Sequence, residues 1–336
     1  MAEITGNRTI VFHNKPHIIS YGSIVGKKEH EGPMREEFDS YITDSFYGED
    51  SFEKAESKLQ KTAVQIALDK AKLQNSDIDY IFAGDLLNQC IGSSFGNKER
   101  GIPFLGLYGA CSTMTLSIGI ASVFLDSGAA NRVVAVTSSH FCSAERQYRF
   151  PLNYGSQRPQ TAQWTVTGAG AVILQREGDG PYINAAVFGE IKDFGISDAN
   201  NMGAAMAPAA ADTIAHYLRD TNTKPDDYDL IVTGDLGYVG SQCLYELLER
   251  DGIDIRNKHN DCGVLIFDHE KQDTHAGGSG CGCSASILCS YIMHKFEKNQ
   301  LKNILFMSTG ALLSPTSSYQ GENVPGIAHL IHIKKD

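Results

Sequence analysis

The sequence predicts an α/β protein built from two copies of one half, and three observations carry that expectation. A short apolar strand ending in Gly-Asp-Leu occurs twice, at residues 78–86 and 228–236. A small-residue helix headed by a cysteine also occurs twice, and each copy leads into a further apolar strand. Strands and helices alternate in both copies, which implies crossover connections and strands covered on both faces.

The first copy opens with a helix over 58–73, where Leu59, Ala63, Ile66, Ala67 and Ala71 recur at helical spacing. A polar turn, Gln74-Asn75-Ser76-Asp77, leads to the strand that ends at Asp85. The matching pieces are a helix over 209–218, the turn Lys224-Pro225-Asp226-Asp227 and the strand that ends at Asp235. Further on, Ala110-Cys111-Ser112 opens a helix to about residue 127, followed by a strand over 133–139. Gly282-Cys283-Ser284 opens its counterpart, followed by a strand over 304–310. Cysteine and strand are 22 positions apart in one copy and 21 in the other. The expected pairs are therefore Asp85 with Asp235 and Cys111 with Cys283. Gly178-Asp179-Gly180-Pro181 is the strongest turn signal between the copies, so the halves are expected at 1–178 and 179–336.

Composition narrows the function. The net charge of −11 argues against non-specific nucleic-acid binding, which needs surplus Lys and Arg, and disfavours direct adsorption to anionic lipid. The first nine residues lack the apolar stretch of a signal peptide, and no apolar run approaches the roughly 20 residues that span a bilayer. A soluble chain is expected. The 8 cysteines are scattered, which speaks against a disulfide framework. His259, Cys262, Cys281 and Cys283 match no common zinc spacing, so neither a metal nor another cofactor is expected.

Cys111 is the residue with the clearest chemistry. The positive end of a helix dipole favours a thiolate, which is how an acyl-accepting nucleophile is often made. Its neighbours Gly109, Ala110 and Ser112 are all small, which equally suits a packed, inert thiol. Spacing leaves both readings open. Gly168-Ala169-Gly170-Ala171 precedes the apolar strand Val172-Ile173-Leu174 and opens no helix, so a dinucleotide fingerprint is excluded.

Duplicated halves with Ala-Cys-Ser at the central helix, together with the Gly-Ala-Gly-Ala strand entry, resemble the thiolase and ketoacyl synthase superfamily. That resemblance implies a thiolase-like fold with layers α-β-α-β-α. A more specific resemblance, to the stage V sporulation protein AD family, covers essentially the whole chain. It rests on Phe82-Ala83-Gly84-Asp85-Leu86-Leu87-Asn88-Gln89, Gly109-Ala110-Cys111-Ser112-Thr113 and Met206-Ala207-Pro208-Ala209-Ala210-Ala211-Asp212-Thr213. Thr233-Gly234-Asp235-Leu236, His259-Asn260-Asp261-Cys262-Gly263, Ala276-Gly277-Gly278-Ser279-Gly280-Cys281 and the stretch from Ser308 to Pro315 add to it. The resemblance implies a spore protein that binds dipicolinic acid (pyridine-2,6-dicarboxylate), free or as its calcium chelate. It would serve dipicolinate uptake in sporulation and release at germination. It further implies SpoVA membrane proteins as partners, peripheral association with the spore inner membrane through them, and a homodimer, the common state of superfamily relatives.

Condensing enzymes of the superfamily support their cysteine with two further groups, His and His or His and Asn. Here the strand ending at Asp235 has no His, and Ser279 stands where the other partner is expected. His275, just before the glycines, reads as a solvated loop residue. The expectation is a binding protein with no catalytic residue. Its ligand-binding candidates in the first copy are Asp85, Asn88, Cys111, Ser112 and Thr113. In the second copy they are Asp235, Gly278, Ser279, Thr309 and Gly310. The two aspartates orient ligand loops or help hold the calcium that accompanies dipicolinate, or else they cap the turns that follow them. Arg146, with Arg149 and Arg158 in a stretch containing Tyr148, Tyr154 and Trp164, offers bidentate contacts and stacking, or else belongs to a charged surface loop. The competing readings are a cryptic acyltransferase using Cys111 and a SpoVA scaffold without a ligand.

Overall fold

The computed structural model describes residues 2–148 and 158–336. The first stretch contains β1 (Glu3–Thr5), β2 (Thr9–Val11), β3 (His17–Val25), α1 (Lys27–His30), β4 (Ser40–Tyr41) and α2 (Phe52–Ala71). It continues with β5 (Tyr80–Gly84), α3 (Ile91–Asn97), β6 (Phe104–Gly106), α4 (Thr113–Ser127), β7 (Arg132–Ser139) and α5 (Phe141–Tyr148). Next come β8 (Trp164–Thr165), β9 (Gly168–Gln175), β10 (Tyr182–Phe188), α6 (Met202–Thr221), β11 (Leu230–Thr233) and α7 (Gly237–Arg250). The rest is β12 (His259–Asp261), α8 (Cys262–Leu265), β13 (Gly278–Ser279), α9 (Cys281–Ile287), a π-helical turn (Leu288–Ile292), α10 (Met293–Glu297), β14 (Asn303–Ala311), α11 (Pro315–Tyr319) and β15 (Gly326–Lys334).

Repeated local chemistry builds the two halves alike. Ser51 and Asn201 cap α2 and α6 by accepting from Lys54 N–H and Ala204 N–H. Asp79 accepts from the N–H groups of Asn131 and Arg132, and Asp229 does the same for Lys302 and Asn303. Each aspartate thereby locks the start of one parallel strand to its neighbour. The strand order β6-β5-β7-β9-β3 in one half is repeated as β12-β11-β14-β15-β10 in the other. Parallel and antiparallel pairs fall at the same places. The halves meet edge to edge along β10, which pairs Tyr182 with His17 of β3 and Ala185, Ala186 and Val187 with Val11, Ile10 and Thr9 of β2.

The layers follow from which faces are apolar. α2 lies on the outer face of the first sheet and α6 on the outer face of the second, each over its own core. Between the sheets, α4 and α9 contribute to the largest core, which includes Phe82, Val172, Phe306 and Ile331 from both halves. This is the expected α-β-α-β-α arrangement. Among the described residues α4 and its lead-in form the one helix apolar and long enough to cross a membrane, and they are mostly buried in that central layer.

Three local expectations need correction. The outer helices start earlier than apolar spacing indicated, at Phe52 and Met202, because the caps lie upstream of the periodic stretch. The Gly-Ala-Gly-Ala segment is part of β9, where its glycines face α9. The partner of Cys111 is Cys281, two residues before Cys283. Ala110 and Gly280 both have positive φ, 49° and 104°, and each accepts through its carbonyl from the residue three on, Thr113 and Cys283. The π-helical turn at Leu288–Ile292 inserts the extra residue that displaces the sequence count.

Candidate functional site

Cys111 is placed by a tight turn between β6 and α4. Leu107 N–H continues the parallel ladder by donating to Ala83 O, and Ala110 then takes a left-handed conformation that an alanine rarely adopts. The Ser112 hydroxyl donates to Gly109 O at 2.6 Å, and the Thr113 hydroxyl donates to Ala110 O at 2.6 Å while accepting from Gly109 N–H. Both hydroxyls are thus spent on the turn. Ser112 is the N-cap residue of α4 but makes no side-chain cap, so the helix presents its N-terminus next to Cys111.

The second half brings Asp235, Ser279 and Thr309 to the same place. Cys111 Sγ lies 3.8 Å from Ser279 Oγ, which donates to Asp235 Oδ2 at 3.2 Å. Asp235 also accepts from Gly280 N–H at 2.9 Å and from the Thr309 hydroxyl at 2.7 Å. Gly310 must lack a side chain here, because a Cβ would come 2.5 Å from Gly109 O and close to the N–H groups of Cys111 and Ser112. Gly278 takes part through its carbonyl, which accepts from Gln163 Nε2 at 2.9 Å.

Two further residues hold this arrangement and were not among the site candidates, although Asp261 lies within a segment that carries the family resemblance. Gln163 also donates to Asp235 O at 2.6 Å, tying β8 to the β11 end. Asp261 accepts from Leu236 N–H and Gly237 N–H at 2.8 and 3.0 Å and from the Thr233 hydroxyl. Cys111 packs with Leu86, Ala144, Cys281 and Tyr148. The Tyr148 hydroxyl donates to Leu86 O and meets the Tyr108 hydroxyl at 3.2 Å. The i,i+4 spacing of Ala144 and Tyr148 on α5 could have indicated this wall.

Electrostatics decide the thiol question that spacing left open. Burial pushes the Cys111 thiol well up, and the neighbouring Asp235 carboxyl pushes it further. Both effects favour the neutral thiol at Cys111. Asp235 is itself raised to about 7 by burial, against the lowering effect of its donors.

Other candidates sit apart. Asp85 is fully buried and accepts from Leu87 N–H at 2.8 Å and from Ser93 N–H and hydroxyl at 2.7 and 2.5 Å. It therefore serves the start of α3, whereas its counterpart Asp235 reaches the start of α9. Asn88 is exposed, and its N–H donates to Gln147 Oε1. Arg146 pairs with Glu53 on α2 at the surface. Arg158 pairs with Asp273, and Trp164 is already occupied by Phe141 stacked at 3.8 Å and by the Lys28 ammonium 3.8 Å from its ring centre. Arg149 and Tyr154 lie outside the described residues. His275 bonds Pro159 O and Asp273, and both ring nitrogens of His259 are taken by Thr233 and Tyr245.

The buried ionisable groups give a stability profile with a definite sign. Glu29 and Asp235 are both raised to about 7 by burial, so their contribution is full below about pH 4 and is lost as pH rises through about 7. His259 and His329 are lowered to about 4, so theirs is full above about pH 6.5 and is lost as pH falls through about 4. The two sets oppose each other between about pH 4 and 6.5, and only the carboxyl loss continues above. Urea denaturation is expected to give a lower midpoint at pH 8 than at pH 6.5, by about 1 kcal/mol of stability for these four groups. A midpoint that rises over this interval would contradict the buried, neutral state of these carboxyls.

Comparison with known proteins agrees with this geometry. The chain resembles 3-oxoacyl-[acyl-carrier-protein] synthase III from Aquifex aeolicus VF5 with a TM-score of 0.58 and 14% identity, over 95% of this chain and 99% of that one. It resembles cerulenin-bound OleA from Xanthomonas campestris with a TM-score of 0.63 and 14% identity, over 96% of this chain and 97% of that one. At such identities the likeness shows a shared thiolase-like fold. Stage V sporulation protein AD of Bacillus subtilis (strain 168) is 44% identical over 327 residues, 97% of this chain and 96% of that protein. The profile of the family described as Stage V sporulation protein AD (SpoVAD) matches residues 6–334. With nearly the whole length matched on both counts, the chain belongs to the stage V sporulation protein AD family.

Proposed function

We propose that this sporulation protein binds dipicolinate at the Cys111 site and performs no acyl chemistry there. The observation that carries the reading is the company of the thiol. Its polar neighbour is Ser279, backed by Asp235, and no imidazole hydrogen-bonds it among the described residues. A condensing reaction needs a group that takes the thiol proton and donors that steady an oxyanion. A buried carboxyl that raises the thiol works against the first. Anion binding asks for less. The 15-residue helix α4 has no side-chain cap at Ser112, beside Cys111, so the positive end of its dipole is left facing the site, and Asp85 is turned to α3. The Tyr148 and Tyr108 rings stand beside the thiol and suit a flat aromatic ligand. In this reading the protein works in dipicolinate uptake and release with SpoVA membrane proteins, and reaches the spore inner membrane through them.

Titration calorimetry with dipicolinate, against benzene-1,3-dicarboxylate as a control that lacks the ring nitrogen, tests the proposal. Saturable binding of dipicolinate is expected, with no stable Cys111 adduct by mass spectrometry after incubation with acetyl-, malonyl- or long-chain acyl-coenzyme A. An adduct that forms stoichiometrically and turns over would instead establish the acyltransferase reading.

A further inference from the structure

Asp235 is the one carboxyl in the Cys111 site, and its surroundings hold no positive charge. Its side chain is 1% exposed, and its donors are two hydroxyls and a backbone N–H, all neutral. The ionisable groups that face it are no better placed to balance a negative charge. From the turn before α4 there is the Cys111 thiol, from α9 Cys281 and Cys283, from α8 Cys262, and from the end of β12 the buried Asp261. His259, beyond Thr233, stays neutral above about pH 4 because it is buried. Glu56 and Asp85 lie on the far side, towards Cys281, and are acids as well. Gln163 and Thr309, from β8 and β14, carry no charge.

A ligand carboxylate at the α4 N-terminus would lie within about two hydrogen-bond lengths of Asp235, since Ser279 bridges Asp235 to Cys111. Two like charges about 7 Å apart, at an effective dielectric of about 20, repel by an amount equal to roughly 50-fold in affinity. Moving Asp235 away is not open to the site, because Gln163 and Thr309 hold its backbone carbonyl and N–H, Asp261 holds the next two residues, and its carboxyl oxygens are engaged on two sides. Adding a proton removes the repulsion without moving an atom heavier than hydrogen. The proton has a place to go, because either hydroxyl can turn and accept from the carboxyl O–H.

We infer that the Cys111 site takes its carboxylate ligand together with one proton, held on Asp235. The inference rests on the dicarboxylate reading of the site and says in what form the site accepts such a ligand. Ligand carboxylates are ionised above about pH 5. Binding then consists of the dianion entering, one proton leaving the solvent and one carboxyl O–H forming on Asp235. The burial that raises Asp235 in the unliganded protein means the proton is largely present near pH 6 and must be taken up near pH 8.

Calorimetric titration of the wild-type protein with dipicolinate between pH 6 and 9, in two buffers of different ionisation heat at each pH, reads this out. Affinity is expected to be level near pH 6 and to fall by up to about 50-fold towards pH 9, with proton uptake approaching one per ligand near pH 8. Asp235→Asn is expected to bind with little pH dependence and no such uptake. The inference is overturned by wild-type binding that is independent of pH without proton uptake, or by an equal pH dependence in Asp235→Asn. Should that variant not fold, the wild-type infrared difference spectrum at pH 8 decides, since ligand must produce the band of a protonated buried carboxyl. Dipicolinate that fails to bind at any pH sinks the dicarboxylate reading itself, an outcome distinct from binding without a proton.

Discussion

Cys111→Leu is expected to lose dipicolinate binding by about 10- to 100-fold while remaining folded, and Cys111→Ala to lose much less. The thiol is only 5% exposed and packs against Leu86, Ala144, Cys281 and Tyr148. Leucine adds volume where the α4 N-terminus and the tyrosine wall meet, so it fills the space a ligand must enter. The range corresponds to roughly 1–3 kcal/mol, the scale of a disrupted buried polar contact. Overpacking costs a similar amount of stability, which a protein of this size should survive. Alanine keeps the helix N–H groups and removes only a neutral thiol that the reading does not require. Calorimetry for affinity and circular dichroism for folding check both variants. Wild-type affinity in folded Cys111→Leu would put the dipicolinate site elsewhere.

A large loss of stability is expected on replacing Gly170 by alanine. A Cβ there would lie 2.2 Å from Ala285 O and 2.5 Å from its carbonyl carbon. Backbone on backbone leaves no rotamer to adjust, so α9 must move away from β9 as a whole. Gly170→Ala should therefore cost about 2–4 kcal/mol, well beyond an ordinary surface change. Gly168→Ala should cost less, because the nearest atom is the Ser286 hydroxyl at 2.7 Å, which can turn aside. Moving α9 also moves Gly280 and Ser279, so dipicolinate binding should weaken along with stability. Urea denaturation and calorimetry read both effects, and a Gly170→Ala protein as stable as wild type would refute the close approach.

Local patterns in the sequence were enough for the architecture. Gly-Asp-Leu at the ends of two apolar strands, and two small-residue helices each leading to another strand, survive in the chain because each half solves the same packing problem. The lack of a histidine at the end of the strand carrying Asp235 was equally legible, since it needs only the identity of residues at a recognised strand end. Matching by count failed at Cys283. A π-helical turn adds one residue without disturbing the apolar pattern on either side, so only backbone geometry shows that Cys281 is the partner of Cys111.

Tertiary structure alone decided what the symmetric aspartates do. Asp85 and Asp235 stand at equivalent strand ends, yet one meets the N–H groups of α3 and the other meets Gly280, Ser279 and Thr309. Which donors reach a carboxylate depends on segments distant in sequence, and those are brought close only by the packed sheets. The state of Cys111 was settled in the same way. A helix N-terminus favours a thiolate where water can reach it, but here the fold removes water and sets a second acid alongside, and both of those effects raise the thiol.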